Sequence, residues 1–392
     1  MYKILKLNRI SPKGLEIFPQ DRYELASEFT HPDAILVRSH VIEPAEIRPS
    51  LKAIARAGAG VNTIPVALCT QRGIPVFNTP GANANAVKEL VLAALVISSR
   101  GIMPGIDFVR TLREISDPDK ISMLVERRKK EFTGQELAGK TLGVVGLGKI
   151  GALVAEMGLK LGMKVIGFDP ELSVDAAWRL SNETERIENL PTLLGHADYI
   201  SLHLPYTQAT KNLINEENLR FLKQGARLLN FARGGIVNSA AVLSALNSGT
   251  LRSYASDFPT PDLLKRDDVI LFPHIGAGTA EAEDSCAVMA ATQLIDFLEK
   301  GSIVNSVNFP ALVLERCSGS RIAIVNKNIP KMLGKMTTVL ADSDINVNEM
   351  LNKSRDDIAY NLIDLDSAPS EELLSALRSI QGVINVRTVF SV

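Results

Sequence analysis

Two residues placed just past apolar, strand-like runs carry the chemistry this sequence offers. His274 sits in Phe272-Pro273-His274-Ile275-Gly276, between such a run and a glycine-rich turn, and Arg233 sits in Asn230-Phe231-Ala232-Arg233-Gly234-Gly235. Asp262 follows in the loop after Asp257, which itself ends the run Tyr254–Ser256. Hydride transfer at C2 of a 2-hydroxy acid needs groups of these three kinds: one to hold the carboxylate, one to exchange the hydroxyl proton, and one to orient that acid–base group. Arginine suits the first task through its permanently charged fork, histidine the second, and a carboxylate the third because it favours imidazolium. Each also has a plainer reading, since a histidine after proline is commonly a loop residue and Arg-Gly-Gly is commonly a turn. Their shared placement beyond strand ends is what favours the chemical reading. His31, His40 and His196 lack that setting and read as surface or capping residues.

A second constellation points to a dinucleotide. Leu142-Gly143-Val144-Val145 runs into Gly146-Leu147-Gly148-Lys149-Ile150-Gly151, a helix-like stretch from Ala152 to Leu161 follows, and Asp169 ends the next strand-like run. A lone GxGxxG is weak, but strand, helix and acid together are specific. Gly146 allows the tight turn, Gly148 lets backbone approach a pyrophosphate, and Gly151 permits close helix–strand packing. The helix N-terminus offers free N–H groups to that pyrophosphate. Asp169 accepts from a ribose and repels a 2′-phosphate, so the expected cofactor is NAD. Lys149 and Ile150 in the loop, His203 and Pro205 in Ser201-Leu202-His203-Leu204-Pro205, and Ala232, Asp257 and Gly276 are further cofactor candidates at the same strand ends. No metal-ligand spacing occurs.

These residues need elements to position them. Ala34–Val37, Ala53–Ala55 and Val76–Phe77 read as buried strands, and a long buried helix follows over Ala86–Arg100 with Asn85 as its N-cap. A second series runs through Leu142–Val145, Lys164–Phe168, Tyr199–Leu202, Arg227–Asn230, Tyr254–Ser256 and Val269–Phe272, with helical stretches between most of them. That rhythm predicts doubly wound parallel sheets. From about Ser320 the order is strand, helix, strand, strand, helix, strand, the ferredoxin-like βαββαβ pattern, after a short Ser318-Gly319-Ser320 linker. The expected α/β architecture is two Rossmann-like domains plus this C-terminal unit. The expected limits are 1–98 with 281–310, 99–280 for NAD, and 319–392, and the family resemblance given below implies that the first binds substrate and the last is regulatory.

The chain has 392 residues, too many for one ordinary core, with 46% hydrophobic and 22% charged residues as in soluble globular enzymes. A net charge of -1 gives no reason to expect nucleic acid as a partner. Cys69, Cys286 and Cys317 are widely spaced and read as reduced thiols. Met1–Ile10 alternates like a strand without a signal-peptide core, and Ala86–Ser99 is broken by Lys88 and Glu89 and too short to span a bilayer. A cytoplasmic protein without membrane partners is expected.

The motifs GLGKIG with Asp169, SLHLP, NFARGG, the segment around Asp257, and PHIGAGTAEAED resemble the D-isomer-specific 2-hydroxyacid dehydrogenase family over essentially the whole chain. The resemblance is to its phosphoglycerate-oxidising members. It implies oxidation of 3-phospho-D-glycerate to 3-phosphohydroxypyruvate, the first step of L-serine synthesis. Arg233, Asp262 and His274 are then the catalytic trio, and Asp257 meets the nicotinamide amide. The family usually has Glu in D-V-F-x-x-E-P where this chain has Asp262, a side chain about 1.5 Å shorter in reach. Substrate contacts fall on Arg38, Ser39, Gly60, Val61 and Asn83, with Lys129 in Arg127-Arg128-Lys129-Lys130 reaching a neighbouring subunit. A solvated charge run is the alternative for that cluster. The C-terminal unit resembles an ACT domain. Asn328 and Asn346 match the family's serine-binding asparagines, while Asn326 and Lys331 depart from a usual histidine and glycine. L-serine feedback and a purely structural dimerisation domain both stay open. A homodimer or homotetramer is expected. The competing functions are a hydroxypyruvate or other 2-keto acid reductase, and an NAD-sensing corepressor or scaffold without catalysis.

Overall fold

The computed structural model describes residues 1–315 and 319–391, so Cys317 and Ser318 lie outside the described residues. The first sheet is parallel, from β1 (Tyr2–Leu7), β2 (Tyr23–Ala26), β3 (Ala34–Val37), β4 (Ala53–Arg56) and β5 (Val76–Phe77), in the order β2-β1-β3-β4-β5. All four side chains of β3 are buried, as a strand covered on both faces requires. The sequence reading missed β2, whose four residues Tyr-Glu-Leu-Ala show neither a continuous apolar run nor strict alternation.

The second sheet contains β6 (Thr141–Val145), β7 (Lys164–Phe168), β8 (Glu185–Arg186), β9 (Tyr199–Leu202), β10 (Ala226–Asn230), β11 (Leu251–Ser256) and β12 (Val269–Leu271). Its order is β12-β11-β10-β9-β6-β7-β8, all parallel. The winding reverses between β6 and β9, and parallel sheets bind ligands beyond the strand carboxyl ends at such a reversal. Those ends lead directly into Gly146, Asp169, His203, Phe231, Asp257 and Phe272.

The third sheet is antiparallel, from β13 (Ser320–Lys327), β14 (Val347–Arg355), β15 (Ile358–Leu365) and β16 (Val383–Phe390), in the order β14-β15-β13-β16. Helices Met332–Asp342 and Glu371–Ser379 complete it, so the expected element order is present. Lys331, ahead of the first of these helices, has φ +73°, a left-handed backbone that favours glycine.

The described chain forms two compact units, one from residues 1–83 with 280 onward, the other from 84 to 279. This moves the expected limits. Helix Ala84–Ser99 belongs to the second unit, where Val91 and Leu95 share a core with Leu142, Val144 and Leu229, and Ser99 Oγ lies 2.8 Å from the Tyr199 hydroxyl. The helix starts at Ala84, so Asn85 is not its N-cap; the Asn85 amide donates instead to Glu89 Oε1 at 2.8 Å.

The C-terminal sheet belongs to the first unit rather than standing apart. One face packs on its own helices through Ile322, Ile324, Met336 and Leu377, and the other joins the core of helix Ala280–Lys300 through Ala323, Val325, Tyr360 and Leu362. Arg321 anchors the junction. Its Nε and Nη2 donate to the two oxygens of Asp364 at 2.5 and 2.7 Å. Nη1 donates to the carbonyls of Lys300 and Leu314 at 2.9 Å each, and Nη2 also to that of Glu315 at 2.6 Å. All five guanidinium donors are therefore used, which lets a pair that is 0% exposed on both sides persist without water.

Arg321→Met should strand a buried carboxylate and lower unfolding stability by about 3–5 kcal/mol in urea titration. The double change Arg321→Met with Asp364→Leu should recover a large part of that loss. A single variant as stable as the parent would refute the anchoring role.

Candidate active site

In the second unit, Gly146 leaves β6 with φ +91°, and a Cβ there would lie 2.6 Å from the His203 carbonyl oxygen, so only glycine fits. A Cβ on Gly151 would overlap the Gly146 carbonyl oxygen, which is the close helix–strand approach expected of the third glycine. Gly148 caps helix Lys149–Lys160 and has nothing within 4 Å of where a Cβ would stand. The helix N-terminus therefore presents open space and the positive end of its dipole, a fit for a pyrophosphate. Lys149 is exposed and Ile150 partly buried in its first turn.

Asp169 is fixed by two backbone donors, Leu147 N–H at 2.8 Å and Glu171 N–H at 3.0 Å. It lines a cavity of about 410 Å³ together with Leu147, Gly167, Arg186 and Trp178. At the end of β9, Ser201 Oγ lies 2.8 Å from His203 Nε2, while His203 Nδ1 is buried and has no partner among the described residues. Burial holds the His203 pKa down to about 3, so the ring is neutral at any working pH. An orphaned polar atom at this edge fits a site that a cofactor completes. Pro205 is exposed and its carbonyl accepts from Thr210 Oγ1 at 2.6 Å.

Asn230, fully buried at the end of β10, holds the arginine loop. Its Nδ2 donates to the Arg233 carbonyl at 3.0 Å and its Oδ1 accepts from Ala232 N–H at 3.2 Å. Arg233 Nη1 donates to the Ala232 carbonyl at 2.6 Å, and the residue as a whole is exposed. Partial desolvation lowers its pKa from the ordinary value, yet a guanidinium stays charged.

His274 has φ +57°, a left-handed backbone costing about 1–3 kcal/mol in a non-glycine residue. Asp257, 2% exposed, holds the turn in place. Its Oδ1 accepts from Ile275 N–H at 2.9 Å and its Oδ2 from Gly276 N–H at 2.7 Å. Phe258 touches the imidazole edge-on at 5.1 Å between ring centroids and also backs Gly234, whose Cβ would lie 3.2 Å from that of Phe258. Phe258 thus joins the Arg233 loop to His274. Asp262 is not brought to His274: its side chain is 71% exposed, and its recorded partner is Lys265 Nζ at 3.9 Å.

In the first unit, Arg38 and Ser39 follow β3, and Arg38 Nη2 pairs with Glu283 at 2.5 Å. Ser39 N–H donates to Asn8 Oδ1 at 3.1 Å. Arg56 Nε donates to the Arg38 carbonyl at 2.9 Å and its Nη1 to the Gly60 carbonyl, tying the two segments together. The N–H groups of Gly60 and Val61 find no acceptor among the described residues, and Asn83 Oδ1 is buried without a partner. Free N–H groups beside fixed arginines suit a carboxylate or phosphate oxygen.

Residues 105–276 match the D-isomer specific 2-hydroxyacid dehydrogenase, NAD binding domain. The chain is 31% identical to D-3-phosphoglycerate dehydrogenase of Haemophilus influenzae, over 94% of this chain and 89% of that one. It is 30% identical to D-3-phosphoglycerate dehydrogenase of Escherichia coli, over 90% and 85%. The NAD+-bound 3-phosphoglycerate dehydrogenase of Entamoeba histolytica superposes with a TM-score of 0.60 and 27% identity, covering 79% of this chain and 99% of that one. This chain belongs to the D-isomer-specific 2-hydroxyacid dehydrogenase family. It is an NAD-dependent dehydrogenase.

For a member of this family, Asn230, Phe258 and Arg56 are the positioning residues that sequence reading missed. Arg56 had a usable signal, since like Arg38 it stands at the carboxyl end of an apolar strand. Phe258 had none, because its value lies in what it touches across two loops. The two asparagines of the C-terminal unit are not together either. β13 pairs Ser320 with Leu365, which also faces Val347, so Asn346 lies at the Ser320 end of the sheet, whereas Asn328 follows Lys327 at the other end. Both are exposed; Asn328 Nδ2 donates to the Asp356 carbonyl at 3.1 Å. Lys129 pairs with Glu126 at 2.5 Å and lines an apolar cavity with Ile106, Val109 and Phe132.

Asp257→Asn should replace one accepting oxygen by a donor facing a backbone N–H, at a cost of about 1–3 kcal/mol. The His274 turn should then lose its position, and kcat should fall by on the order of tenfold in steady-state assays. Asp262→Asn should leave the acidic limb of the pH–rate profile unmoved. The opposite ranking of the two variants would return the orienting role to Asp262.

Proposed function

We propose that this chain oxidises 3-phospho-D-glycerate to 3-phosphohydroxypyruvate with NAD, the first step of L-serine synthesis. The observation that carries the reaction class is His274, held in a strained backbone by Asp257 and joined through Phe258 to the Arg233 loop. The phosphorylated substrate rests on the end-to-end likeness to two D-3-phosphoglycerate dehydrogenases and on the arginine-rich segments of the first unit.

In this reading Arg233 clamps the substrate carboxylate and draws charge toward the C2 oxygen. His274 takes the hydroxyl proton as the C2–H bond breaks, and Phe258 limits the orientations its ring can take. NAD, when bound, accepts the hydride. Gly146, Gly148, Lys149, Ile150 and Gly151 would hold its pyrophosphate, Asp169 its adenosine ribose, and His203, Pro205, Ala232 and Gly276 would border the remainder. Asp257 serves the nicotinamide end by fixing the turn beside it. Arg38, Ser39, Gly60, Val61 and Asn83 hold the substrate. The corepressor alternative needs no acid–base histidine.

The C-terminal unit reads as a ferredoxin-like ACT domain, supported by its element order and strand order. Because Asn328 and Asn346 lie at opposite ends of one sheet, L-serine could meet both only where two copies of this domain pair. The exposed apolar side chains of Met103, Ile106 and Val109 favour assembly as a homodimer or homotetramer, in which Lys129 would reach the neighbouring subunit's substrate.

A panel of 2-hydroxy and 2-keto acids with NAD and NADP, followed by absorbance of the reduced cofactor, tests the substrate; no turnover of 3-phosphoglycerate would refute it. NAD should be preferred over NADP by more than about tenfold, the repulsion between Asp169 and a 2′-phosphate at short range. His274→Ala should lower kcat by about 10²–10⁴-fold with NAD affinity nearly unchanged.

A further inference from the structure

The chain's one tryptophan, Trp178, is left 85% exposed. A single exposed ring is ordinary on a protein surface; what sets this one apart is that it lines the cavity bordered by Asp169. Trp178 ends helix Val174–Ala177, which Ser173 caps by accepting from Ala176 N–H at 3.2 Å, and Trp178 N–H donates to the Val174 carbonyl at 3.1 Å. The backbone beneath the ring is therefore anchored. Val174, four residues earlier and 74% exposed, lies on the same helix face. Both side chains line the 410 Å³ cavity that Asp169 borders, with Leu147, Leu172 and Ala177 as apolar walls and Arg186 of the edge strand β8 as a cation. An apolar, aromatic cavity with one fixed carboxylate and one guanidinium suits a planar, uncharged base joined to a ribose.

We infer that Trp178 stacks on the adenine of NAD, with Arg186 as a second wall, so that cofactor binding buries a ring otherwise left in solvent. The inference rests on the NAD reading of the Asp169 edge and assigns a base-holding role that the glycine loop cannot supply. Stacking on an exposed ring is gained only when the base arrives, so Trp178 contributes to affinity for the adenosine half and not for the nicotinamide half.

Because Trp178 is the sole tryptophan, emission from the full-length protein reports on it alone. AMP and NAD should each change that emission saturably and protect it from acrylamide quenching, while nicotinamide mononucleotide should do neither. Trp178→Ala should weaken NAD binding by about tenfold in calorimetry, as loss of one base–aromatic stack does, and Trp178→Phe should retain most of it. Its exposure means that neither variant removes a core contact. NAD binding by calorimetry with unchanged emission and unchanged acrylamide access would overturn the Trp178 role alone. Absence of any NAD or AMP binding would overturn the cofactor reading and this role with it.

Discussion

Asp257 carries the constraint on which the candidate catalytic edge depends. A buried carboxylate is tolerated only where donors satisfy it, and here they are the consecutive backbone N–H groups of Ile275 and Gly276. Those two bonds hold the turn that puts His274 at φ +57°. Strain of that kind persists only when the surroundings over-determine it. β11 supplies the Asp257 backbone, β12 leads into the turn, and the imidazole then rests against Phe258. One carboxylate thereby sets the position of His274, the proposed proton-transfer group, through the backbone that follows it.

The same logic recurs at the other strand ends. Asn230 holds the Arg233 loop and Asp169 holds the first turn of the glycine loop, each a polar side chain at the carboxyl end of a parallel strand bonding nearby backbone. Such residues act first on loop geometry and only then on ligands. In the first unit Arg56 does this with its donors, gathering the carbonyls of Arg38 and Gly60. The C-terminal sheet is secured by the five donors of Arg321, which join it to the segment after helix Ala280–Lys300. Whatever that sheet binds, it is fastened to the unit that bears Arg38, Gly60 and Val61.

Much of this was determined by the sequence alone. Most of the parallel strands, the glycine loop, the acid at the end of β7, and the placement of Arg233 and His274 beyond strand ends follow from local apolar runs and punctuation. Those signals are short-range, and the fold preserves them because a parallel strand must be apolar on both faces. β8 (Glu185–Arg186) and β2 (Tyr23–Ala26) escaped because neither offers the continuous apolar run that marks the equally short β5 and β3.

Tertiary structure alone decided which side chains meet. Spacing from Asp257 suggested Asp262 as the partner of His274, yet the loop path leaves Asp262 in solvent and gives the clamp to Asp257. The family resemblance makes Asn328 and Asn346 ligands of one serine, and the register of β13, β14 and β15 sets them at opposite ends of the sheet within one chain. Helix Ala84–Ser99 reads simply as buried, and only its packing against Leu142 and Val144 assigns it to the second unit. The physical reason is common to all three. Period and composition report which face of an element is apolar, whereas reach depends on loop path and strand register, which are set by contacts distant in the chain.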